Sequence, residues 1–357
     1  MEEITKVDKN FAVDVEIDKT GYKFYSVDEE PFRIYGVSRE GDRYYRMPTA
    51  VSRTVSDGVD VLNKHTTGGR VRFVTDSECV AVKVKLINPD PGPNMSRMGC
   101  AGLDVYDGKN YAGSFVPPMN MPNSAFEARK TIEPSKERLI TVDLPSYCGV
   151  HELYIGLNEG ATLKRAPDYT YEKPIVFYGS SITHGGCASR PGATYEAWIS
   201  RTLDTNFINL GFSGNAKAEP EMAEYISGLD MSIFVYDYDH NAKDADYLRK
   251  THERMFLTVR EKKPDLPIVI ISAPVAKVAP CAGLNRQFDE RRKVIEETYN
   301  RAVARGDKNV YYIPGNSFFD AIGNEFTCDH CHPTDLGFYF MAERITPVLR
   351  NILENKR

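Results

Sequence analysis

Long apolar runs are missing from this chain. No stretch approaches the roughly 20 consecutive apolar residues of a membrane-spanning helix, so no membrane association is expected. Basic clusters and blocks of like charge are missing too. Lys and Arg number 45 against 50 Asp and Glu, a formal net charge of −5, and no nucleic-acid partner is expected. The start, Met1 to Asp8, lacks a basic segment followed by an apolar one. The expectation is therefore no signal peptide and a cytoplasmic location. Cysteines are few and odd in number, seven in all: Cys79, Cys100, Cys148, Cys187, Cys281, Cys328 and Cys331. That pattern fits free thiols in a reducing compartment. Cys328, Cys331 and His332 resemble half a zinc site, but no second Cys-x-x-Cys or His pair completes four ligands, so no metal is expected. Tryptophan occurs once, at Trp198. Internal repeats and low-complexity segments are absent.

What is present is ordinary for a globular protein: 41% hydrophobic and 27% charged residues. A length of 357 residues exceeds what one core usually serves, so two domains are expected. Residues 1–165 read as an all-β domain, a β-sandwich or jelly roll. Phe11–Ile17, Arg70–Thr75 and Val80–Leu86 alternate apolar and polar residues as half-buried strands do. The turn Asp76–Glu78 suggests that the last two form a hairpin. Leu103–Tyr106 and Tyr111–Phe115 flank Asp107-Gly108, a strong turn signal. Leu139–Leu144 and His151–Gly156 close the series.

Beyond about residue 165 the pattern changes, and 170–357 reads as a second domain in which strands alternate with helices. Strands are expected at Ile175–Tyr178, Asn206–Leu210, Met231–Tyr236, Pro267–Ser272 and Val310–Ile313. Helices are expected at Thr194–Leu203, Pro220–Ile226, Asp244–Lys262, Asn285–Arg305 and Leu336–Leu353. Five such βα units predict a three-layer α/β domain with a five-stranded parallel sheet.

Ile175–Tyr178, apolar throughout, fits a central strand covered on both faces. It runs into Gly179 and then Ser181, and open α/β sheets place their sites beyond the carboxyl ends of their strands. Ser181 is thus a candidate nucleophile; the competing reading is a serine capping the next helix. A serine nucleophile needs a base, an orienting acid and oxyanion donors. Asp329 and His332, three residues apart, suit the acid and the base, with Nδ1 on the carboxylate and Nε2 free for the serine. A capping turn with a solvated acid and a packed histidine is the plainer alternative. His330 is the rival base, but adjacent residues rarely allow that geometry. The amides of Ser181 and Gly214 and the side chain of Asn241 are candidate oxyanion donors; an ordinary turn glycine and a helix cap are the alternatives there.

These blocks resemble those of the SGNH hydrolases, the GDSL-type esterases. The nucleophile motif matches Gly179 to Thr183, the family's glycine and asparagine map onto Gly214 and Asn241, and its Asp-x-x-His-Pro maps onto Asp329, His332 and Pro333. Ser180 departs from the usual Asp before the nucleophile. That departure resembles a bacterial subset in which Gly185 to Gly192 also looks typical. The subset carries an amino-terminal β-domain with a Gly-x-Asp-Leu-Tyr signature, matched here by Gly102 to Tyr106 with Val105 for Leu. The segment is not the Gly-x-Ser-x-Gly elbow of α/β-hydrolases, since Thr183 stands where glycine would be.

The resemblance implies a flavodoxin-like SGNH hydrolase domain behind an amino-terminal β-domain. It also implies a serine esterase that removes O-acetyl groups from carbohydrates, such as xylan or mannan fragments, with no cofactor. An acetylated oligosaccharide is then the partner; a homo-oligomer is left open. Trp198, Tyr236 and Tyr238 offer aromatic faces suited to a sugar ring, although core packing is the commoner fate of aromatics. His184 and Arg190 directly follow the nucleophile and are candidate contacts to sugar hydroxyls, with a solvated loop as the alternative. Two rivals remain. A lipase or thioesterase would need an apolar groove, for which no lid-like segment is seen. A non-catalytic glycan-binding protein would have no use for Ser181, Asp329 and His332 together.

Overall fold

The computed structural model describes residues 2–275, 284–319, 323 and 325–355; Cys281 lies outside them. The chain divides into two compact units. One comprises Met1–Tyr45, Lys64–Asp168 and Ser189–Gly192, the other Arg46–Asn63, Tyr169–Ala188 and Ala193–Arg357. The segments expected at 1–165 and 170–357 therefore exchange two short pieces.

The first unit carries strands β1 (Tyr22–Ser26), β2 (Arg33–Tyr35), β3 (Ser38–Glu40), β4 (Arg43–Tyr45), β5 (Arg70–Thr75), β6 (Cys79–Ile87), β7 (Leu103–Asp107), β8 (Asn110–Phe115), β9 (Ala125–Thr131), β10 (Arg138–Asp143), β11 (Gly149–Asn158) and β12 (Leu163–Arg165). Ten of these form two antiparallel sheets, in the orders β1-β11-β6-β9 and β12-β5-β10-β7-β8, with β2 beside β5, and β3 pairs with β4 in a separate two-stranded ribbon. Their apolar faces share one core: Val80, Val82 and Ile155 from one sheet pack with Phe73, Val105 and Ile140 from the other. This is a β-sandwich.

Three details differ from the sequence expectation. β5 and β6 do not form a hairpin; they lie in different sheets. The turn between them is held by Ser77, whose hydroxyl meets the Cys79 carbonyl at 2.6 Å and the Asn158 side chain at 2.9 Å. Each strand's apolar face is then buried by the opposite sheet, which a two-stranded ribbon could not do. Phe11–Ile17 is not a strand. Its alternation finds no core, with Phe11 and Val13 exposed, and it touches β9 through only two hydrogen bonds to Glu127. Nor is the region all-β, for short helices interrupt it: α1 (Glu2–Val7), α2 (Thr49–Val55), α3 (Asp57–Leu62) and α4 (Arg97–Ala101).

Helices α2 and α3 belong to the second unit. Ser56 caps α3, accepting the Val59 N–H, with Asp57 and Asp60 in the first turn. These are the local helix-start signals that the strand-rich surroundings mask.

The second unit alternates as expected: β13 (Tyr171–Gly179), α5 (Tyr195–Leu203), β14 (Thr205–Gly211), α6 (Pro220–Gly228), β15 (Ile233–Asp237), α7 (Ala245–Lys262), β16 (Ile268–Ile271), α8 (Leu284–Ala304), β17 (Val310–Ile313) and α9 (Asp335–Asn355). The five parallel strands run β14-β13-β15-β16-β17, a flavodoxin-like order. Side chains alternate between two cores. Val176, Tyr178, Phe234 and Tyr236 pack with residues of α6, α7 and α8. Ile175, Phe177, Ile233 and Val235 pack with α5 and α9. Burial on both faces explains the unbroken apolar run of β13. The chain leaves β13 for β14 on one side and later returns to β15 on the other, so the carboxyl end of β13 is the switch point.

Candidate active site

Gly179 ends β13, where a side chain has no room. A β-carbon there would lie 1.7 Å from Asp237 Oδ1 and 2.2 Å from Thr183 Oγ1. The next residues coil into a single turn, closed by the amide of His184 on the Ser180 carbonyl at 3.0 Å and that of Gly186 on the Ser181 carbonyl at 2.7 Å. Ser180 Oγ accepts the Ile182 N–H at 3.2 Å. A short side-chain oxygen at that position closes the turn locally. The local capping task thus falls to Ser180, and the side chain of Ser181 points elsewhere.

It points to His332, with Oγ 2.8 Å from Nε2. His332 Nδ1 lies 2.7 Å from Asp329 Oδ2. The two loops are 151 residues apart in sequence. The second is a turn ahead of α9, closed by a bridge between Thr327 and Pro333 and by the Cys328 amide on the His332 carbonyl. Asp329 organises it: Oδ1 accepts the amides of His332 at 2.7 Å and Cys331 at 3.1 Å, leaving Oδ2 for the ring. One carboxylate thus shapes the turn and fixes the tautomer. His330 adopts a left-handed φ of +66° and is exposed, outside this row.

Gly214 has φ of +68°, with open space where a side chain would project. Its need for glycine is therefore conformational. Asn241 ends a short 3-10 turn after β15, and its Nδ2 donates to the Phe212 carbonyl at 3.0 Å. This bond ties the Asn241 amide to the loop that carries Gly214.

Several supporting residues escaped sequence reasoning. Arg46, nearly buried, donates to the carbonyls of Asn209 at 3.2 Å and Gly211 at 2.6 Å and lies 4.5 Å from the Phe212 ring centre. Gly58 on α3 abuts Asn215, where a β-carbon would fall 2.1 Å from Oδ1. The inserted α2–α3 segment thus braces the loop after β14. Beneath the Ser181 turn, the Thr183 hydroxyl donates to Asp237 at 2.5 Å and lies 3.1 Å from the Tyr195 hydroxyl. Asn209 Nδ2 donates to the Thr183 carbonyl at 2.5 Å and to Glu196 Oε1 at 3.3 Å. Burial drives the carboxyls of Asp237 and Glu196 well above the usual acid range, as expected for acids without a buried cation. Of these, Thr183 lies in a motif singled out from the sequence.

The expected substrate contacts lie elsewhere. Tyr236 and Tyr238 are core residues, stacked with His252 at 4.7 and 5.8 Å. They alternate inward on β15 and just beyond it, so neither ring is open to a sugar. His184 is fully buried, with Nδ1 accepting the Ser213 amide at 3.4 Å. Trp198 packs edge-on to Tyr339 of α9 at 5.4 Å. Arg190 belongs to the first unit. Its guanidinium donates to Asp104 at 2.7 Å and to the Tyr106 hydroxyl at 2.5 Å and covers the Tyr111 ring at 4.1 Å. Asp104, fully buried, also accepts the Gly192 amide at 2.8 Å. The Asp and Tyr of the Gly102–Tyr106 signature therefore clasp the segment Ser189–Gly192.

A parallel α/β sheet with a hydroxyl, an imidazole and a carboxylate aligned beyond an inner strand, β13, is the architecture of a hydrolase. Residues 172–350 match the GDSL-like lipase/acylhydrolase family. Residues 22–163 match the amino-terminal GxDLY domain of SGNH-hydrolase-type esterases. The chain belongs to the GDSL-like lipase/acylhydrolase family and is an ester-hydrolysing enzyme. No curated protein matches it. It is similar to a Bacteroides ovatus protein described as a GDSL-like lipase, with 29% identity, TM-score 0.84, and 93% of this chain and 98% of that one covered. It shares its fold with the salicylyl-acyltransferase SsfX3 of a tetracycline biosynthetic pathway, at 22% identity and TM-score 0.75 over 93% and 98% of the two chains. It also shares its fold with an acetyl xylan esterase from the rumen bacterium Butyrivibrio proteoclasticus, at 13% identity and TM-score 0.60 over 94% and 99%. Among the described residues no helix is long and apolar enough to cross a membrane.

Proposed function

We propose that the chain is a serine esterase that removes acetyl groups from carbohydrate hydroxyls. The observation that carries the chemistry is the row Ser181 Oγ–His332 Nε2–His332 Nδ1–Asp329 Oδ2, with spacings of 2.8 and 2.7 Å. His332 takes the Ser181 proton as Oγ attacks the acetyl carbonyl. Asp329 steadies the imidazolium that forms. The amides of Ser181 and Gly214 and the side chain of Asn241 receive the oxyanion. His332 then protonates the departing sugar alkoxide, leaving an acetyl-Ser181 ester. Water, deprotonated by His332, attacks that ester and releases acetate.

The carbohydrate part of the reading is supported by the fold shared, across both units, with the acetyl xylan esterase. It draws no support from His184, Tyr236 or Tyr238, which are buried, or from Trp198, which is half-buried against Tyr339.

Ser181→Ala should lower hydrolysis of 4-nitrophenyl acetate by about 10⁴-fold or more. Near-wild-type activity in that variant would end the nucleophile assignment. Acetylated xylo- and manno-oligosaccharides should lose acetyl mass on incubation, and octanoyl esters should turn over poorly. The reverse preference would assign the enzyme to lipids or thioesters.

A further inference from the structure

Next to the reactive row lies a thiol that ester hydrolysis does not use. Cys187, six residues after Ser181 on the same loop, brings its Sγ within 4.8 Å of the ligating atoms of Asp329 and His332, all three atoms lying within that distance of one another. Burial, and after it the neighbouring thiol of Cys328, pushes the Cys187 thiol above its ordinary range. Cys331 faces away, its Sγ 3.7 Å from His240 Nδ1. In sequence, Cys328, Cys331 and His332 supply only half a zinc pattern. Of those three only His332 belongs to the cluster, and the fold joins it to Asp329 and to Cys187 on the loop after β13.

We propose that Cys187, Asp329 and His332 form a binding site for a thiophilic divalent cation, zinc being the best match, and that its occupancy switches the esterase off. A thiolate, an imidazole nitrogen and a carboxylate oxygen are the donor types zinc takes. Zinc bonds of 2.0–2.3 Å place donors roughly 3.5 Å apart, so atoms already within 4.8 Å need only small movements. Coordination releases the Cys187 thiol proton to solvent. Both nitrogens of His332 are engaged, one by Ser181 and one by Asp329. A metal ion therefore enters only by displacing one of those partners, and either displacement removes the base. The inhibitory consequence, though not the binding, rests on the role proposed for His332.

The test uses the full chain with its thiols reduced. Hydrolysis of 4-nitrophenyl acetate is followed over a series of buffered free zinc concentrations and again after EDTA. Wild type should lose activity and recover it with the chelator. Cys187→Ser should keep its zinc-free activity and need at least about tenfold more zinc for the same loss, since even an outer-sphere partner is commonly worth that much. Cys331→Ser should respond as wild type does. Cobalt(II) gives a separate readout: a thiolate-to-cobalt absorption band in wild type, absent in Cys187→Ser. That band together with undiminished hydrolysis would support the site and overturn the role given to His332. Equal zinc sensitivity in wild type and Cys187→Ser, or a cobalt spectrum without the thiolate band, would overturn the site.

Discussion

In the proposed mechanism Ser181 and His332 are the residues on which the chemistry turns, and each is positioned by its neighbours. Ser180 shapes the turn, Asp329 shapes the second loop while orienting the ring, and the Phe212 carbonyl fixes Asn241. Two substitutions should separate charge stabilisation from backbone form. Asn241→Ala removes one of the proposed oxyanion donors and should lower kcat by about 10²–10³-fold with little change in stability. Gly214→Ala places a β-carbon into open space at a left-handed φ. It should cost about 1–2 kcal/mol of stability, read as a lower thermal midpoint, with kcat falling only as far as the amide moves. A collapse of kcat in Gly214→Ala without any loss of stability would mean that substrate fills that space.

At the scale of elements, two short segments are each held within their own unit by partners distant in sequence. α2 and α3 brace the loop after β14 through Arg46 and Gly58. The segment Ser189–Gly192 is clasped by Asp104 and Tyr106. Asp104→Ala leaves the Arg190 guanidinium and the Gly192 amide without their acceptor. It should destabilise the protein by about 3 kcal/mol, the low end for breaking a buried pair, because Arg190 keeps some solvent contact. Urea unfolding would measure this, and an unchanged midpoint would mean that the clasp contributes nothing. Arg190 was legible in the sequence as a residue of note beside the nucleophile. Its partner was not, since Asp104 is 86 residues away and reads locally as a polar interruption in a strand.

For the molecule as a whole, buried ionisable groups act in opposite directions with pH. Burial holds His252 at about 3 against an ordinary 6.5. Its proton is taken up more readily by the unfolded chain, so its contribution is complete above pH 6.5 and is lost as pH falls toward 3. Glu196 is raised well above its ordinary 4.5. Its contribution is complete below that value and is lost as pH rises. Relative to wild type, His252→Gln should gain thermal stability as pH drops below 6.5, and Glu196→Gln as pH climbs above 4.5. Thermal midpoints from pH 4 to 8 would show slopes of opposite sign; slopes of the same sign would contradict the burial-based account.

The order of strands and helices in the second unit, the run of β13 and the spacing of Asp329 and His332 were all readable from residues, because periodicity and turn chemistry are local. So were the candidates Ser181, Asp329 and His332, which each sit in a short recognisable motif and which the fold brings into one row. Which sheet β5 and β6 would join, whether Trp198, Tyr236 and Tyr238 would face solvent, and that Cys187 would meet His332 were decided only in three dimensions. Those outcomes depend on what covers a face or lies across a loop. That information resides in residues distant along the chain, and no local pattern of side chains carries it.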